Sequence, residues 1–101
     1  MPEKNEKLPF STRDLYLAST LVTLHFIMLG TDLQLEGIKP RGIGYFKFAD
    51  TEELRKTISD YNQGNILVEP RIFITNLQSL KAIVVNLQQN PLNELSRYDQ
   101  R

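Results

Sequence analysis

The spacing of the apolar residues changes once, at His25, and that change limits what this chain can fold into more than any other feature. Before it, Leu15, Ala18 and Val22 form one stripe, and Leu17, Leu21 and Leu24 form a neighbouring one. Steps of three and four place both stripes on one side of a helix, giving a wide apolar face. After it, Ile27, Leu29, Thr31, Leu33 and Leu35 alternate with Phe26, Met28, Gly30, Asp32, Gln34 and Glu36. Period two marks a strand, expected from about 26 to 36, with Gly30 as a bulge or bend. A second reading carries the helix on to Leu29 and caps it at Gly30.

The start of the first helix is read from Phe10-Ser11-Thr12-Arg13-Asp14-Leu15. Ser11 and Asp14 stand three apart, as in a capping box, and Phe10 and Leu15 occupy the staple positions. Beyond the first strand, Gly37-Ile38-Lys39-Pro40-Arg41-Gly42 has the composition of a hairpin connection. Ile43 to Phe48 follows as a second strand, with Gly44, Phe46 and Phe48 on one face and Ile43, Tyr45 and Lys47 on the other. Asp50 or Thr51 then caps a helix whose first turn holds Glu52 and Glu53, and Gly64 stops it.

Ile66-Leu67-Val68 is either a short third strand or a buried connection, and Pro70 suits the first position of a last helix. That helix carries Phe73, Leu77, Leu80, Val84 and Leu87, and Pro91 ends it. The expected order is helix, strand, strand, helix, helix, an α+β domain with one antiparallel hairpin. The domain is expected over residues 10–89, with 1–9 as a polar arm and 90–101 as a polar tail.

Three segments together resemble a known family. They are Ser11-Thr12-Arg13-Asp14-Leu15-Tyr16-Leu17-Ala18-Ser19, Phe48-Ala49-Asp50-Thr51-Glu52-Glu53-Leu54 and Val68-Glu69-Pro70-Arg71-Ile72-Phe73. The family comprises small bacterial and phage proteins known only as a domain of unknown function. Its members open with a (T/S)-(K/R)-D-L-Y-L-A-S helix. A hairpin ending in F-x-D follows, then a helix, then V-(D/E)-P-R at the start of a last helix. The resemblance runs from residue 11 to about 87. The chain departs from the pattern at Lys39-Pro40-Arg41-Gly42 and in lacking the usual glycine after the first helix. What the resemblance implies is the fold; it brings no activity with it.

Composition excludes more than it suggests. The chain has no cysteine and one histidine, so thiolate zinc sites, disulfides and most triads are out of reach. His25 reads as a partly buried packing residue or a helix C-terminal residue, and Asp14 and Glu69 as helix-start residues. No phosphate loop is present, because Gly42-Ile43-Gly44 opens a strand. No carboxylate pair has metal or glycosidase spacing. A non-catalytic protein without cofactor or metal is expected. Twelve Lys and Arg balance twelve Asp and Glu, which argues against a strongly basic DNA-coating protein. The apolar stretch from Leu15 to Leu29 is shorter than the roughly 20 residues that span a bilayer. Met1 to Pro9 has no apolar signal core. A soluble, cytoplasmic protein is therefore expected.

Two functional readings remain. Arg41-Gly42-Ile43-Gly44-Tyr45-Phe46-Lys47-Phe48 resembles the RNP1 strand of RNA-recognition motifs at its basic, glycine and last aromatic positions. On this reading Tyr45 stacks a base of single-stranded nucleic acid. Arg41 and Lys47 meet phosphate, and Lys39 and Arg55 lend support. An ordinary hairpin strand with aromatics toward the core has the same pattern. A complete motif also needs a strand ahead of the first helix, for which residues 1–10 show no pattern. The second reading is an interaction or self-assembling module. It acts through Phe73, Leu77, Leu80, Val84 and Leu87, which otherwise form an ordinary packing seam. Ile72, Ile74, Ile83 and Val85 widen that helix's apolar surface, and about 80 folded residues make a small core, so a homo-oligomer or protein partner is expected.

Overall fold

The computed structural model of the chain describes residues 8–35 and 42–89. The elements are β1 (Phe10–Thr12), α1 (Leu15–Thr23), β2 (Met28–Gln34), β3 (Ile43–Phe48), α2 (Glu52–Asn62) and α3 (Pro70–Gln89). The α+β class and the antiparallel hairpin hold. The order differs from expectation by a strand ahead of the first helix, while residues 66–68 join no sheet.

The three strands form one antiparallel sheet in the order β1-β3-β2. Phe10 pairs with Phe48, Ser11 with Lys47 and Thr12 with Phe46. On the other side of β3, Met28 pairs with Phe48, Gly30 with Lys47, Asp32 with Tyr45 and Gln34 with Ile43. Leu29 is the extra residue of a bulge between Met28 and Gly30, next to the glycine that marked it in the sequence. β1, α1 and β2 thus form a split β-α-β unit with β3 inserted between its two strands.

The extra strand changes how α1 begins. Ser11 does not cap the helix, because its backbone is paired with Lys47. Asp14 is the cap instead, accepting from the amides of Tyr16 (3.0 Å) and Leu17 (3.1 Å). Thr12 Oγ1 in turn accepts from the Asp14 amide at 3.0 Å. Pairing 10–12 with β3 satisfies these backbone groups and sets Phe10 against the core, which a further helical turn at this end does not. The helix also stops before Leu29. The Phe26 amide donates to the Leu21 carbonyl and the His25 amide to that of Val22, a Schellman turn with His25 at φ 77°.

Leu17, Ala18 and Leu21 of α1, Leu54 of α2 and Leu80 of α3 pack against Phe46 and Phe48 as one core. Buried Ser19 and Thr20 donate their hydroxyls to the carbonyls of Leu15 (2.7 Å) and Tyr16 (2.8 Å), so α1 enters the core with these polar groups satisfied. Thr51 caps α2 by accepting from the Leu54 amide, and Gly64 ends it at φ 78°. Glu69 accepts from the Ile72 amide at 2.8 Å and starts α3, with Pro70 its first residue. The seam of α3 faces inward. Leu80 is buried, and Val84 lies so close to Gly44 that a Cβ there would come within 2.9 Å of Val84 Cγ2. Glycine at 44 lets the helix rest directly on the central strand.

Ile66 and Val68 are half-buried, while Leu67 is 93% exposed. The segment is a connection between helices, and it pairs with no strand among the described residues. Among the described residues no helix is long and apolar enough to cross a membrane.

Candidate functional site

The helices gather on the Phe46 and Phe48 side of the sheet. Residues paired across an antiparallel sheet share a face, so the register assigns the opposite face. It carries Ser11 from β1, Gly30, Asp32 and Gln34 from β2, and Ile43, Tyr45 and Lys47 from β3. Lys47 lies between Ser11 and Gly30, two of the smallest neighbours a strand can offer. Beside it along β3 is Tyr45, with Asp32 opposite. Both Tyr45 and Lys47 are half-buried, and Lys47 forms no ion pair among the described residues. Ile43 is only 9% exposed, which withdraws it from surface contacts.

Of the five residues expected to meet nucleic acid, this face brings together Tyr45 and Lys47. Lys39 and Arg41 lie outside the described residues. Arg55 is engaged elsewhere. Its Nε donates to Asp50 Oδ1 at 2.8 Å and its Nη2 to Asp50 Oδ2 at 2.7 Å. Its guanidinium carbon also stands 5.3 Å from the centre of the Phe10 ring. The paired hydrogen bonds first, and the charge of Asp50 second, raise the Arg55 pKa above its ordinary value. A bidentate pair stacked on an aromatic ring ties α2 to β1 and to the end of β3.

The α3 residues expected at an interface divide. Leu80 is buried in the core and Val84 packs against it, while Phe73, Leu77 and Leu87 are half-buried. Ile83 also packs on the core, so the widening of the apolar surface comes from Ile72, Ile74 and Val85, which are exposed. His25 is exposed at its left-handed turn, and no cluster of metal-ligating side chains occurs among the described residues.

Sequence reasoning missed Ser11 as a member of this face, because three residues of strand give one period only. Asp32 was legible, since the alternation from 26 to 36 already set it beside Gly30 and Gln34. No model of a known protein family, no curated protein and no solved structure matches the chain.

Proposed function

We propose that this chain is a small accessory protein that binds single-stranded nucleic acid on the face of its sheet opposite the helices. Tyr45 stacks against a base and Lys47 meets a backbone phosphate. Lys39 and Arg41, which precede the strand in the sequence, add phosphate contacts in this reading; Arg55, held by Asp50, takes no part. One observation carries the proposal: the strand with the RNP1-like string is the central strand of a split β-α-β sheet whose helices cover the opposite face. The strand required ahead of the first helix is β1. Its residue on that face is Ser11, so among the described residues the face presents one aromatic, and moderate affinity without base specificity is expected.

The test is the affinity for a short labelled oligonucleotide, measured over a range of salt concentrations. Tyr45→Ala is expected to weaken binding about tenfold, the value of one stacked base. Lys47→Ala is expected to flatten the slope of log affinity against log salt by about 0.7, the share of one phosphate on a single strand. Affinity and slope unchanged in both variants, with folding intact, contradict the proposal.

A second reading has its own observation. Leu67, Ile72 and Ile74 are exposed at the start of α3, at 93%, 54% and 48%. Ile72 and Ile74, two apart on the helix, lie on different sides of it, so each offers a separate apolar contact to a protein partner or a second copy of the chain. Association through such contacts is insensitive to salt, whereas phosphate-driven binding weakens steeply as salt rises.

A further inference from the structure

A cleft of about 530 Å³ lies between the later half of α3, the start of β3 and the start of α1. That volume falls within the range of small-molecule sites, about 300–1,000 Å³. Leu15, Phe46, Val84 and Val85 supply apolar wall. Arg13 and Lys81, both exposed side chains, also line it. Neither cation has a hydrogen bond or ion pair, and no carboxylate lines the cleft among the described residues. Of the other described cations, Arg55, Lys56 and Arg71 each have an acidic partner and Lys47 has none among the described residues. Two unpaired cations beside an apolar wall form a local positive field that favours an anion over a neutral or cationic ligand.

We propose that this cleft binds a small carboxylate with a short hydrocarbon body. The carboxylate sits between Arg13 and Lys81, and the chain lies along Val84, Val85 and Leu15. The polar groups of the cleft argue for a hydrocarbon body over a nucleobase. Gln88 Nε2 donates to the Gly42 carbonyl at 2.9 Å, so the side-chain amide donor and the nearby carbonyl already serve each other. A base edge would find few partners there, whereas a methylene chain needs none. The site lies on the helix-covered side of the sheet and does not depend on the nucleic-acid proposal.

The probes are octanoate, 1-octanol and octylammonium, which share one chain and differ in the charge of the head. Binding is followed by the methyl resonances of Val84, Val85 and Leu15. Octanoate is expected to shift them and to bind about tenfold more tightly than 1-octanol, the worth of one charge-assisted contact. Reversing both charges with Arg13→Glu and Lys81→Glu, at exposed positions that leave the core intact, is expected to turn the preference toward octylammonium. A loss of affinity through misfolding does not reverse a preference. Equal binding of octanoate and 1-octanol, methyl resonances that do not move, or an unaltered preference in the charge-reversed variant each overturns the proposal.

Discussion

His25 occupies a backbone conformation that an L-residue adopts at a cost. Both α1 and α2 end in the same hydrogen-bonded turn, with Gly64 at the left-handed position of one and His25 at that of the other. Glycine takes this conformation without steric penalty, and its greater freedom in the unfolded chain offsets part of the gain. His25→Gly is therefore expected to stabilise the fold by about 0.5–1 kcal/mol, read as a higher urea midpoint at unchanged slope. A lower midpoint contradicts the turn as described. The sequence marks Gly64 as a stop by its residue type alone. It offers no such mark at His25, where the turn follows from Phe26 packing against the core. The pairing of Arg55 escapes the sequence for a related reason. A cation beside a hairpin looks available until folding sets Asp50 and Phe10 on either side of it.

The elements were legible where they were long. The period along α3, the alternation along β3 and the caps of α2 all follow from local chemistry, and each has the expected position. β1 was not legible. Phe10-Ser11-Thr12 is too short to show a period, and Ser11 three residues before Asp14 imitates a capping box. What decides the matter is β3, more than thirty residues away, which supplies hydrogen bonds to 10–12 and neighbours for Phe10. The two assignments of the cap differ in consequence. Asp14→Ala is expected to cost about 1 kcal/mol, whereas Ser11→Ala is expected to stay within about 0.5 kcal/mol, both by urea unfolding. The reverse ranking would restore Ser11 as the cap.

The packing of α2 against the start of α1 also sets a pH dependence. Burial first, and the charge of Asp14 second, raise the Tyr61 pKa above its usual value. The folded protein then holds that proton more tightly than the unfolded chain does. The resulting stabilisation is complete below the unfolded value of about 10 and is lost as pH rises through the higher folded value. Tyr61→Phe is expected to lessen the loss of stability across that alkaline window and to leave the neutral-pH dependence unchanged. An alkaline profile identical in the variant would show that this phenol does not contribute.

At the scale of the molecule, one sheet separates two surfaces of different character. The face toward the helices holds the aromatic core and, at one end, the Arg13–Lys81 cleft. The other presents Tyr45 and Lys47 beside small or polar neighbours. The alternation of β3 made this division legible from sequence. That β3 is the central strand was not, because it follows from the short strand that pairs at its far side. Among the described residues the face opposite the helices carries one cation, Lys47, and one carboxylate, Asp32. The central proposal is that this face binds single-stranded nucleic acid. Amide chemical shifts recorded while a short single-stranded oligonucleotide is titrated at low salt test it most directly. The account requires the shifts to centre on Ser11, Gly30, Tyr45 and Lys47 and to fade as salt is raised. Shifts confined to α3 around Ile72 and Ile74, or no shifts at all, would contradict it.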